Sequence, residues 1–382
     1  MDKTSELRER FFLMKTMGID PHFEAGEIVE LIYYFIDKND LDNLDAVIEL
    51  GMTAYPDDEN LRITLCHALN ELKEYESALA ELEKLDIQGD ERADMIRLEC
   101  YCKLDKFDEA LAFIDKLINN NYEYMDEAIM YAVFYMNENN KALEKAYQLA
   151  RKGLILYPDN MTLKSDMCIN LLLRGFQKDA MDLCRQLTDE HPFSVEIWFL
   201  QAELYNDCGD YENAINSINY AISCSLDDEK SEEAFQLTFT KAQYLYRNGS
   251  YYPAIRCFVE LMSYKGYVQA IVDPYLAECY MRIGDYETAF DLLNGVIGQK
   301  GIEDEIAFFG NLIYCCLQTG RQIVAIDLLA DAIKLYPSGI LDYISSLNFL
   351  TNYHSETDIG NERIINTGEL VRKFFANNVH YN

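Results

Sequence analysis

Apolar positions along this chain repeat on two periods. The short one is helical: residues three before, at, and four after a recurrent alanine are apolar, which puts all three on one face of a helix. The alanines are Ala78, Ala110, Ala146, Ala180, Ala214, Ala254, Ala289 and Ala325. Tyr75, Phe107, Tyr211, Tyr251 and Tyr286 precede them, and Leu82, Ile114, Ile218, Phe258, Leu293 and Leu329 follow. The long period is the spacing of the alanines themselves, at steps of 32, 36, 34, 34, 40, 35 and 36 residues. Gly175, Gly209, Gly249, Gly284 and Gly320 each stand five residues before an alanine, where a tight turn must reverse the chain between two helices. Pro158, Pro192 and Pro337 each fall twelve residues after one, and Pro56 lies three periods of 34 before Pro158. The pattern predicts antiparallel helix pairs at about 26–56, 59–86, 91–119, 124–157, 160–190, 194–224, 232–263, 273–299 and 303–336.

One helix pair cannot bury its apolar face alone, so such pairs stack into an array that exposes an extended surface. Trp198, Ala202 and Tyr205, followed by Gly209, Tyr211, Ala214, Ile218 and Ala221, closely resemble a tetratricopeptide repeat. The resemblance extends over roughly 25–337, with Leu44 in the alanine's place in a degenerate first unit. It implies an all-α fold, a right-handed α-α superhelix of antiparallel pairs, with a concave groove lined by the first helix of each pair. The small position of the first helix is kept by Cys66, Cys168, Ala202, Ala242 and Ala277 but taken by Leu98, Phe134 and Ile313, whose pairs are expected to pack more openly.

The ends and joints break the pattern. Residues 1–24 read as an N-terminal cap, with Leu7, Phe11, Leu13 and Met14 as a partial apolar stripe over 4–17. Residues 25–337 read as an array of about nine pairs, and 338–382 as a C-terminal capping pair of helices at 340–350 and 361–376. The long step between Ala214 and Ala254 adds about six residues around the charged run 226–233, a candidate hinge. Asp273 reads as an N-cap with Pro274 as the first helical residue.

Composition narrows the chemistry. A repeat array escapes the size limit of a single core, and 49% hydrophobic residues supply the long core it needs. With 33 Lys and Arg against 66 Asp and Glu, the net charge is -33, which repels nucleic acid and either keeps a long surface soluble or steers basic segments toward it. Eleven cysteines lack zinc-like or disulfide-like spacing and read as small buried residues in a reducing compartment. The start of the chain does not read as a signal peptide, no apolar run suits a membrane span, and the expected location is cytoplasmic. No phosphate loop, His-Glu-x-x-His or Cys-x-x-Cys occurs, and the five histidines lie far apart, so neither catalysis nor a cofactor or metal is expected. Cys66 beside His67 reads as a packing cysteine next to a partly exposed histidine.

By the family's geometry, residues about fifteen, eleven and eight before each alanine point into the groove. These are Tyr131, Tyr135, Phe199, Glu203, Phe239, Gln243, Tyr246, Glu278, Asn311 and Tyr314. Aromatics with a polar tip suit peptide recognition, while some of these rings are expected only to pack between helices. The lysines and asparagines with which some tetratricopeptide proteins grip a terminal carboxylate are missing: Ser165, Ile169, Phe199, Glu203, Phe239 and Gln243 stand in their places. The expectation is a non-catalytic scaffold or adaptor for a protein or peptide that is basic or amphipathic. The alternatives are a ligand- or peptide-responsive switch of superhelix shape and, less favoured, an enzyme or its accessory subunit. A homodimer remains open.

Overall fold

The computed structural model describes residues 3–18, 22–85, 90–120, 122–225 and 230–336, with 339, 340, 342–344 and 346 beyond them. Helices and turns account for the described residues, without a strand. An initial helix α1 (Lys3–Met17) precedes nine antiparallel pairs. They are α2 (Ala25–Asp37) with α3 (Leu41–Ala54), α4 (Glu59–Glu71) with α5 (Tyr75–Lys84), and α6 (Glu91–Lys103) with α7 (Phe107–Asn119). Next come α8 (Met125–Glu138) with α9 (Leu143–Leu156), α10 (Met161–Leu173) with α11 (Gln177–Glu190), and α12 (Val195–Asp207) with α13 (Tyr211–Cys224). The last are α14 (Glu232–Arg247) with α15 (Tyr251–Leu261), α16 (Gln269–Arg282) with α17 (Tyr286–Gly295), and α18 (Glu305–Gln318) with α19 (Gln322–Leu335). The chain forms two compact units, 1–183 and 184–382, with the division inside α11.

Local chemistry starts and stops these helices where the pattern requires. Asp58 accepts from the Leu61 N–H at 2.8 Å and Asp304 from the Ala307 N–H at 2.9 Å, each satisfying an orphan donor of a first turn. The five turn glycines have φ between 74° and 84°. Three other residues with positive φ, Asn39 (50°), Lys73 (64°) and Asp105 (56°), occupy the same place in three of the four pairs that lack a glycine there, the α8–α9 turn being the fourth. The left-handed turn is therefore dictated by the hairpin geometry, and glycine is its least strained occupant. All eight recurrent alanines are fully buried, as is Leu44 in the degenerate first pair.

In unit 1 each first helix packs directly on the first helix of the next pair, from α2 on α4 through α8 on α10, whereas second helices make no comparable contact with one another. In unit 2 the second helix of one pair carries the first helix of the next, as α13 does α14 and α15 does α16, and the first helices meet one another mainly through side chains. Helix α1 covers the first pair, with Phe11 against Phe35 at 5.3 Å and an Arg10–Glu27 ion pair at 2.8 Å. Leu7 and Phe11 are buried, but Leu13, expected on the same stripe, is 42% exposed.

Several expectations are corrected. The turn between α8 and α9 has four residues where other pairs have three, so the first helix is displaced by one position. Val133 takes the buried place and Phe134 turns outward, 49% exposed. Leu98 and Ile313 do fill the small position. Helices α6 and α7 touch along a shorter stretch than α4/α5, but α18 and α19 touch as fully as α16 and α17, so open packing holds only at Leu98. At the long joint, α14 is 16 residues long and the Lys265 N–H donates to the Lys230 carbonyl at 3.0 Å, tying the added loop to the α15–α16 turn. Residues 226–229 of that loop, and the proposed helix at 361–376, lie outside the described residues.

Pro274 is not the first residue of its helix. Helix α16 begins at Gln269, with Val268 as its N-cap, and Pro274 lies inside it. The buried carboxylate of Asp273 accepts from the Tyr267 hydroxyl and the Gln269 amide, each at 2.9 Å, and these bonds hold the extra first turn in place.

Candidate functional site

Within each unit the first helices share a face, and its chemistry recurs with the repeat. Eleven residues before the alanine stand His67, Glu99, Glu203 and Glu278. Each of the three glutamates accepts a hydrogen bond from a neutral side chain of an adjacent pair. Asn70 donates to Glu99 at 2.5 Å, Tyr244 donates to Glu203, and Asn311 donates to Glu278 at 3.1 Å. The Tyr246 hydroxyl lies close to Glu278 as well. Burial pushes the carboxyls of Glu99 and Glu278 above the usual range, with Asn70 in the first case and Tyr246 and Asn311 in the second pulling the other way.

In unit 1 this face holds a cavity of about 250 Å³ between α2, α4 and α6, lined by Tyr33, His67, Arg92, Met95, Ile96 and Glu99 among others. The His67 side chain is 34% exposed and its ring lies 6.2 Å from that of Tyr33. Cys66 beside it is fully buried and its thiol is pushed up to about 12 by burial, so it is no nucleophile at neutral pH. Further along, Tyr131 and Tyr135 pair at 4.6 Å, Phe134 meets Tyr135 edge-on at 5.1 Å, and the Lys103 ammonium donates to the Tyr135 hydroxyl. With Ile169, Leu173 and Phe176, all more than a third exposed, Phe134 leaves the α8 and α10 end of the unit rich in open apolar surface.

In unit 2, side-chain bonds link three successive first helices. Arg282 donates through Nε and Nη2 to the Tyr246 hydroxyl at 3.3 Å each, and Asn311 joins Glu278 to Tyr343, whose hydroxyl donates at 3.2 Å. Beside this chain, Gln243 lies near Tyr275, whose hydroxyl donates to Glu303 at 2.9 Å. A cavity of about 180 Å³ opens between α16 and α18, with Glu278 and Asn311 in its lining.

The structure thus places Tyr131 and Tyr135 together in unit 1, and Gln243, Tyr246, Glu278 and Asn311 together in unit 2. Phe199 and Glu203 sit half-buried on α12, Phe199 packed against the cluster around Ala202 and Ile218. Phe239 and Tyr314 are only 7% and 2% exposed. Phe239 stacks among Phe235, Phe258 and Tyr275, and Tyr314 lies 5.8 Å from Tyr286, so these two rings pack between helices and offer no open surface. Sequence reasoning missed Glu99, which shares the register of Glu203 and Glu278, and Tyr343, which follows Asn311 by 32 residues. It also missed Tyr275, Glu303 and the outward turn of Phe134.

Among the described residues no group of three or more His, Cys, Asp or Glu is placed to hold a metal ion, and no helix is long and apolar enough to cross a membrane. Helix pairs of this length, joined by left-handed turns and packed through recurrent small residues, define an all-α helical repeat scaffold. The spacing of its pairs resembles that of tetratricopeptide repeats.

No protein-family model matches the chain, and no curated protein matches it significantly. Among solved structures, a tetratricopeptide repeat protein from Parabacteroides merdae is 19% identical over 67% of this chain and 98% of its own, with a TM-score of 0.45. Yeast Tom70 is 13% identical over 99% and 92%, with a TM-score of 0.44. IFIT1, solved with m7Gppp-AAAA, is 12% identical over 99% and 89%, with a TM-score of 0.46. These likenesses are of fold and name no partner for this chain.

Proposed function

We propose that this protein is a non-catalytic adaptor that binds a polypeptide segment along the face formed by its first helices. The observation that carries this reading is the chemistry of that face. Within each unit, half-buried aromatics, partly desolvated glutamates and a side-chain-sized cavity lie on the first helices. Such a surface offers contact area from rigid rings and direction from fixed acceptors. Tyr131, Tyr135, Phe199, Glu203, Gln243, Tyr246, Glu278 and Asn311 are the contact residues of this reading. A net charge of -33 favours a basic or amphipathic polypeptide over nucleic acid. At the long joint, Tyr244 bonds Glu203 and Arg247 donates to Asn206 at 2.6 Å, so side chains bridge the first helices on either side of the added residues.

The test places a photo-crosslinking amino acid at Tyr131 or Gln243 of the full chain in cells, with Tyr252, 67% exposed on α15, as the comparison. Discrete protein adducts from the first-helix positions and none from Tyr252 are expected. Equal labelling from all three, or adducts that disappear on RNase treatment, sinks the reading.

A further inference from the structure

We propose that the cavity between α16 and α18 receives one lysine or arginine side chain of the bound polypeptide. The aliphatic stem lies against Ile271, Ile302 and Phe308, and the cationic head reaches Glu278 and Glu303. The inference rests on the polypeptide-binding reading and specifies what one part of that face selects.

Size comes first. At about 180 Å³ the cavity takes a side chain. It falls below the roughly 300 Å³ at which small-molecule pockets begin. Its lining then divides by chemistry. Ile271, Ile302 and the buried Phe308 give apolar walls, while Glu278, Glu303 and Asp304 give carboxylates, and no Lys or Arg is among the lining residues. Long cationic side chains are the ones with both halves, since they bury a methylene stem and keep a charged head at polar groups. The carboxylates are not grouped to chelate an ion, so the head they suit is an extended organic cation.

Two features of the backbone and its neighbours point the same way. Pro274 lies inside α16 and has no N–H for the carbonyl of Ala270, which is also part of the wall. That carbonyl lacks its helical donor, and an incoming ammonium or guanidinium supplies one. The nearby cation, Arg282, is committed elsewhere: its guanidinium donates to the Tyr246 hydroxyl and lies 5.8 Å from that ring's centroid. The unit 1 cavity provides the contrast. There Glu99 occupies the same repeat register, but Arg92 is already in the lining. A resident cation at the first site and none at the second predicts cation selection at the second alone.

The test is selection of a random 12-residue displayed peptide library on the full chain, followed by binding of the winning peptide to Glu278→Gln and Glu303→Lys variants. Circular dichroism checks that the variants fold. Glu303 is exposed, so its reversal changes the cavity mouth without touching the core. The expected result is a Lys or Arg at one fixed position, and about a tenfold loss of affinity in each folded variant, the scale of one hydrogen bond to a charged group. Replacing the peptide's fixed cation by norleucine should cost wild type the same factor and cost the Glu278→Gln variant little. Winners without a fixed cation, or unchanged binding in both variants, overturn the cavity proposal while leaving polypeptide binding intact. If no peptide is selected, both fail.

Discussion

The two units use the same repeat to different ends. In unit 1 first helices pack on one another, and the shared face combines a cavity containing its own arginine with an open apolar end at Phe134, Ile169 and Leu173. In unit 2 first helices are carried mainly by the preceding second helix, and their side chains bridge the gaps with hydroxyl, amide and carboxylate groups. Small residues recur in both, so the difference comes from the positions the repeat leaves free.

The largest effect that distinguishes the units should come from Gly153. A Cβ there would lie 2.8 Å from Ile129 and 2.9 Å from Leu163, where α8, α9 and α10 meet. Gly153→Leu should destabilise unit 1 by about 3 kcal/mol through overpacking. Trp198, the single tryptophan, lies in unit 2, so its fluorescence separates the two responses. Urea unfolding should show a circular dichroism loss that precedes the fluorescence change. Simultaneous transitions would show that the units do not melt separately.

Next is the buried Asp166 of unit 1, whose carboxyl burial pushes up to about 6. Its folded value exceeds its unfolded one, so the folded state holds the proton more tightly. The stability this contributes is fully present below about pH 4 and is lost as pH rises through about 6. Asp166→Asn should therefore raise stability at pH 7.5 by roughly 2 kcal/mol and change little at pH 4. Equal gains at both pH values in thermal melts would remove the carboxylate as the cause.

A sharper comparison concerns the glutamates at the common register. Glu99 takes a bond from Asn70, whereas Glu278 takes one from Asn311 and has the Tyr246 hydroxyl nearby. Asn70→Ala should cost about 1.5 kcal/mol at pH 7.5, since it leaves a desolvated carboxylate without that donor. Tyr246→Phe should cost less, because Asn311 remains. The Asn70→Ala loss should shrink on acidification as Glu99 takes up a proton. A larger loss from Tyr246→Phe in chemical denaturation would reverse the ranking.

How much of this was readable beforehand depends on which interactions decide each feature. The helix pairs and their order follow from local signals, namely alanine spacing, turn glycines and helical periodicity, and the structure places them accordingly. Phe134 was misassigned because one extra turn residue rotates α8, and sequence offsets counted from Ala146 cannot register that. Pro274 was misassigned because the bonds that extend α16 come from Tyr267 and Gln269, upstream of the expected start. Phe239 and Tyr314 were counted on the open face because offset alone does not say which rings a neighbouring helix covers. The glutamate register was half visible: Glu203 and Glu278 were found, and Glu99 stood at the same offset.

The smallest effect tests whether the turn itself distinguishes the units. In unit 1, Asn39, Lys73 and Asp105 stand in the left-handed position with φ of 50° to 64°, while every such turn in unit 2 has glycine. A side chain in that conformation costs roughly 1–2 kcal/mol, offset in part by the greater unfolded-state freedom of glycine. Lys73→Gly and Asp105→Gly should each stabilise unit 1 by about 1 kcal/mol, and Gly249→Lys should destabilise unit 2 by a similar amount. No added Cβ at Gly249 meets an atom within 4 Å, so the penalty there isolates the backbone. If Lys73→Gly gave no gain in the circular dichroism transition, the left-handed turn would be relieved by contacts of the lysine itself. The units would then differ in side chains alone.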